Sequence, residues 1–63
     1  MPVITIQQSP RSVDLKRRLA KELTAVFVSV YDIPPEAVQI FFSEASHENW
    51  AKGGFLAADN HKK

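Results

Sequence analysis

The residue with the most distinctive latent chemistry in this 63-residue chain is Pro2, which directly follows an initiator methionine. A small second residue normally permits removal of that methionine, and the nitrogen then exposed at Pro2 is a secondary amine. An ordinary α-amino group has a pKa of about 7.7–8.0, so such a nitrogen needs only a modest downward shift to accept and return a proton near neutral pH. The alternative for Pro2 is architectural, because proline is tolerated at the first residue of a strand. While Met1 remains attached, Pro2 is a tertiary amide with no basic lone pair.

Other reactive residue types carry weaker signals. His47-Glu48 begins like a metalloprotease motif, but the position four beyond His47 is Ala51, so the second ligand is missing and no metal site is expected. Lys16, Arg17, Arg18 and Lys21 cluster in one segment with Asp14 and Glu22 four residues either side of Arg18. That mixture reads as a solvated helix face rather than a nucleic-acid contact. Glu44 closes an apolar run and is open to two readings, a water-activating carboxylate in a hydratase-like site or a simply solvated strand end.

Positioning these residues requires regular elements, and the hydrophobic period supplies them. Pro2 to Gln8 carries β-branched Val3, Ile4, Thr5 and Ile6, which predicts a short strand covered on both faces. Ser9-Pro10 breaks it. From Ser12 the period changes: Leu15, Leu19, Leu23, Val26, Phe27 and Val30 recur at three and four, predicting an amphipathic helix with Ser12 as N-cap and Pro34-Pro35 as its stop. Such a helix, at about 1.5 Å per residue, is long enough to return the chain to the same end of a sheet. Ala37 to Ser43 is the second strand, and strand-helix-strand implies parallel pairing. Gly53-Gly54 marks the turn of a small C-terminal hairpin, and Asp59 to Lys63 has nothing apolar to anchor it.

Size and composition bound what these elements do alone. A chain this short buries only about 60% of its extended surface; it forms a single α+β domain over residues 1–63 and needs an additional source of stability. Cysteine is absent, so the staple is not a disulfide, and nothing argues for an oxidising compartment. Association with further chains remains. Eight basic and seven acidic residues leave a formal charge of +1, which argues for neither a nucleic-acid nor a membrane partner. With no apolar run approaching about 18 residues and no signal segment, a cytoplasmic protein is expected.

Taken in order, Pro2 opening a strand, Arg11-Ser12 leading into a long helix, Pro34 after it, Glu44 closing the second strand, and Trp50-x-x-Gly53-Gly54 resemble the 4-oxalocrotonate tautomerase family. The likeness spans nearly the whole chain. It implies a β-α-β unit of two parallel strands, one long helix and a small hairpin, completed by oligomerisation into a homohexamer, a trimer of dimers. It also implies a cofactor-free enol-keto tautomerase acting on a small conjugated 2-hydroxy or 2-oxo acid.

By that resemblance Pro2 is the catalytic base and acid, Arg11 grips a substrate carboxylate, and Trp50 walls the pocket. Arg11 and an apolar wall are also the features that lower the pKa of the Pro2 nitrogen, by charge and by desolvation. Trp50 serves equally well as an anchor between subunits. Where well-known members carry a second arginine that stabilises the developing enolate, this chain has Gln39, which donates a neutral hydrogen bond and no charge. The segment from Pro2 to Arg11 is also one residue shorter than usual. Gln39 motivates the alternatives: a non-catalytic or heteromeric subunit of a tautomerase-fold oligomer, or a hydratase- or dehalogenase-like variant.

Overall fold

The computed structural model describes residues 2–59. Strand β1 (Val3–Gln8) leads through a short loop into helix α1 (Val13–Tyr31), and a 3-10 turn at Pro35–Ala37 precedes strand β2 (Gln39–Glu44). A second 3-10 turn at His47–Asn49 leads to the two-residue strands β3 (Ala51–Lys52) and β4 (Phe55–Leu56), and a third turn spans Ala57–Asp59. Asp59, the first residue of the tail expected to lack an anchor, closes that last turn; residues 60–63 lie outside the described residues.

The helix begins and ends where local chemistry dictates. Ser12 is extended (φ −65°, ψ 155°), and its hydroxyl oxygen accepts from the Leu15 N–H at 3.2 Å, satisfying a donor that has no partner within the helix. Asp14 lies in the first turn, where a negative charge meets the positive end of the helix dipole. At the other end Asp32 adopts the left-handed conformation (φ 56°), which Asp tolerates better than most residues, while its N–H still donates to Val28 O at 2.9 Å. The second strand starts two residues later than the expected Ala37, because Ala37 and Val38 donate to Pro34 O and Pro35 O at 3.0 and 3.1 Å and so close a turn first.

Strands β1 and β2 pair in parallel from Val3↔Gln39 to Gln8↔Glu44. Successive side chains alternate between faces. Ile4, Ile6, Ile40 and Phe42 share one face and are half-buried, as are Ala20, Leu23, Phe27 and Val28 of α1, whereas Val3, Thr5, Gln39 and Phe41 on the other face are exposed. The expectation of a β1 covered on both sides is therefore met on one side only within the chain. The hairpin turns at Gly53 (φ 63°) and Gly54 (φ 89°), two consecutive positive φ angles that only glycine adopts freely and that match the right-handed twist of a two-residue hairpin.

Taken alone, the chain is incompletely buried. Its accessible surface is 5088 Å², whereas a globular monomer of 7.1 kDa is expected to expose about 4,100 Å². Its radius of gyration is 15.2 Å, against about 11 Å for a compact chain of this length. Val3 (53%), Phe41 (55%), Val26 (55%) and Val30 (70%) present apolar area to solvent on the open sheet face and on the helix. Among the described residues, no helix is long and apolar enough to cross a membrane.

Candidate active site

Pro2 stands at the entry to β1, and its carbonyl oxygen accepts from the Gln39 backbone N–H at 3.0 Å. Two of the four residues singled out by sequence are thus joined at one end of the sheet. Arg11 and Trp50 are at the other end. The six residues of β1, at about 3.3 Å each, put roughly 20 Å between Pro2 and that end of the sheet. A single chain therefore brings Pro2 to Gln39 and separates both from Arg11 and Trp50.

Arg11 lies in the loop between β1 and α1, immediately before the Ser12 cap. Its Nη1 donates to Ser9 Oγ at 2.8 Å and to the Pro10 carbonyl at 3.0 Å, so the side chain folds back over its own loop. Its backbone N–H donates to Glu44 Oε2 at 3.2 Å. The same oxygen accepts from Lys16 Nζ at 2.7 Å. These two donors, Lys16 first and the Arg11 N–H second, hold the Glu44 carboxyl below its ordinary value of 4.5, against a smaller opposing effect of desolvation.

Trp50 borders a cavity of about 590 Å³ at the carboxyl ends of the strands, shared with Gln7, Gln8, Ser43 and Asn49. That volume lies within the range of small-molecule pockets. The indole is 44% exposed and meets the His47 ring edge-on, with centroids 6.2 Å apart. The Trp50 carbonyl accepts from Ala57 N at 3.0 Å, tying the start of the hairpin to the turn that follows it.

Two residues have roles that sequence reasoning placed elsewhere. Lys16 belongs not to the solvated basic face but to the sheet side of α1, where it pairs with Glu44 and is only 24% exposed. Arg17 and Arg18 do lie on the solvated face, bonded to Asp14 at 2.7 Å and Glu22 at 3.0 Å. Glu44 is an exposed residue whose Oε2 is held by two donors. No periodicity links a helix lysine to a strand glutamate, so the pair becomes visible only once β2 is laid beside the start of α1.

A family model described as "Tautomerase enzyme" matches residues 2–60. Among solved structures, the chain is similar to the 4-oxalocrotonate tautomerase isozymes of Methylibium petroleiphilum at 29% identity, covering 92% of each chain with a TM-score of 0.85. It is similar to DmpI of Archaeoglobus fulgidus at 33% identity, covering 92% of this chain and 100% of that one, with a TM-score of 0.83. A heterohexameric 4-oxalocrotonate tautomerase of Chloroflexus aurantiacus aligns at 28% identity over 95% of this chain and 98% of its own, with a TM-score of 0.83. The element order, the parallel β1–β2 pair and the terminal hairpin agree with this fold.

Proposed function

The chain belongs to the tautomerase family, and from that premise we propose that it is a cofactor-free enol-keto tautomerase whose base is the Pro2 nitrogen, freed by loss of Met1. Its substrate is a small conjugated 2-hydroxy or 2-oxo acid. The observation that carries this reading is the match beginning at Pro2 itself and running through residue 60, so that the latent secondary amine occupies the start of the family's fold.

In the proposed reaction neutral Pro2 removes a proton from the enol hydroxyl, and the ammonium so formed delivers a proton to a carbon of the conjugated system. Arg11 binds the substrate carboxylate as a planar fork. Gln39 offers a neutral donor to the developing enolate oxygen, and Trp50 lies against the planar substrate and keeps water out. A base near the working pH supplies about 10²–10⁴-fold in rate.

Since one protomer leaves Pro2 roughly 20 Å from the Arg11 end, the complete site is made between copies. A twofold pairing of sheet edges reverses strand direction and carries Pro2 of one copy towards the Arg11 end of its partner. A homohexamer built as a trimer of dimers, working in the cytoplasm without a nucleic-acid or membrane partner, satisfies this requirement and covers the exposed apolar faces.

The test is ketonisation of phenylenolpyruvate by protein lacking Met1, with Pro2→Ala as control. The expected result is a loss of about 10²-fold or more on substitution; equal, slow rates for both proteins would remove the catalytic claim.

A second reading is favoured by one residue. Gln39 supplies no charge, and the Chloroflexus aurantiacus neighbour is a heterohexamer. In this reading the chain is one subunit of a mixed oligomer whose partner provides the missing cation. Co-purification with a second short chain starting in proline would support it.

A further inference from the structure

The loop that carries Arg11 is fastened to the rest of the protomer through Glu44. This residue ends β2 and is paired with Gln8 at the end of β1. Its Oε2 accepts from the Arg11 backbone N–H, just before the N-cap, and from Lys16 Nζ, just after it. One carboxylate oxygen therefore ties the end of the sheet to both sides of the helix start.

The tie is better shielded than the other ion pairs. The Lys16 and Glu44 side chains are 24% and 27% exposed, compared with 72% and 91% for Arg17–Asp14 and 74% and 64% for Arg18–Glu22. Exposed pairs of the latter kind contribute little. Beside the tie lies the buried Gln8 Nε2, which meets no full hydrogen-bond geometry among the described residues and adds only a minor pull on the Glu44 carboxyl. The Arg11 guanidinium bonds stay within its own loop, to Ser9 and Pro10, so they do not reference Arg11 to the sheet. The bond from its backbone to Glu44 does.

We propose that Glu44 is the positioning residue for Arg11: by holding the Arg11 N–H and Lys16 on one oxygen, it sets where the guanidinium meets a substrate carboxylate. The proposal rests on the reading of Arg11 as the carboxylate grip. It requires no contact between Glu44 and substrate. Its leverage comes from geometry, because a misplacement of about 1 Å in a site of this kind costs on the order of 10²-fold.

The experiment uses the assembled protein and measures kcat and KM separately for phenylenolpyruvate. The set comprises wild type, Pro2→Ala, Arg11→Ala, Glu44→Ala, Glu44→Gln and the Arg11→Ala/Glu44→Ala double variant. Glu44→Ala is expected to raise KM about tenfold while kcat stays within about twofold. Glu44→Gln, which keeps an oxygen for the Arg11 N–H and loses only the negative charge facing Lys16, is expected to recover part of that loss. In the double variant Glu44→Ala is expected to add nothing to Arg11→Ala, since residues acting through one another are not additive.

A purely structural role would instead lower the fraction of folded, active oligomer, read as reduced kcat at unchanged KM, and would overturn the proposal. So would KM effects that multiply in the double variant. Should Glu44→Ala fail to assemble, Glu44→Gln decides the matter by its own KM, an unchanged value counting against. If Arg11→Ala raises KM and both Glu44 variants leave it unchanged, Glu44 alone loses its role. If wild type is no faster than Pro2→Ala, the tautomerase reading falls and the proposal falls with it.

Discussion

The Gln39 backbone N–H donates to the Pro2 carbonyl oxygen at 3.0 Å, so the bond that begins the pairing of β1 with β2 also fixes the residue proposed as the base. The bond fixes the Pro2 carbonyl to the sheet and leaves the ring to turn about the Cα–C bond alone. Restraint of this sort is what a proton-transfer group needs, because its lone pair must meet substrate at hydrogen-bond distance.

Gln39→Arg tests what the missing charge does. A charge-assisted hydrogen bond exceeds a neutral one by about 1 kcal/mol, so kcat/KM for a conjugated dicarboxylate enol is expected to rise roughly five- to tenfold. A monocarboxylate such as phenylenolpyruvate should gain less. Steady-state kinetics with the two substrates check this, and no change for either would show that position 39 lies outside the reacting region.

Assembly is expected to be inseparable from stability. Phe41 and Val3 on the open sheet face are 55% and 53% exposed in a protomer, and apolar area of this extent is normally covered by a partner. Phe41→Asp should therefore yield smaller species with reduced helical signal at micromolar concentration. Sedimentation equilibrium gives the mass directly, and wild type is expected at a multiple of 7.1 kDa.

Ser12→Ala removes the side-chain oxygen that accepts from Leu15 N at 3.2 Å. Loss of such a cap costs about 1 kcal/mol. Thermal unfolding at fixed protein concentration should show a lower Tm. Ser12→Asp restores an acceptor and should recover most of the loss.

Glu44 gives stability a defined response to acid. The Lys16 Nζ and then the Arg11 N–H hold its folded pKa below its unfolded value. Its contribution is therefore fully present above the ordinary carboxylate range and is lost as pH falls through the folded value. Glu44→Gln should be less stable than wild type near neutrality, and the difference should narrow on acidification below the ordinary Glu value of 4.5. Denaturant midpoints measured across that range check the sign.

Local signals made most of the fold legible in the sequence. Ser12 caps the helix, Pro34 and Pro35 follow its end, and Gly53-Gly54 turn the hairpin, each for reasons confined to a few residues. Periodicity identified the apolar helix positions but not their partners. Leu23 and Phe27 are half-buried over the protomer's own sheet, while Leu15, Leu19, Val26 and Val30 are exposed. The stripe is wider than one sheet can cover, and period alone does not divide it. The site was less legible still. The Lys16–Glu44 bond joins residues 28 apart in sequence, and Pro2 and Arg11 lie near opposite ends of β1, so proximity in sequence misstates proximity in space.

The proposed catalysis depends on the chemical state of one nitrogen. Phenylenolpyruvate ketonisation should be compared between two preparations of the same chain, with intact mass establishing that one has lost Met1 and the other has kept it. The only covalent difference is then the presence of Met1, with the Pro2 nitrogen an amine in one and an amide in the other. The form lacking Met1 is expected to be faster by about 10²-fold or more; equal rates in the two preparations would rule out the Pro2 nitrogen as the base.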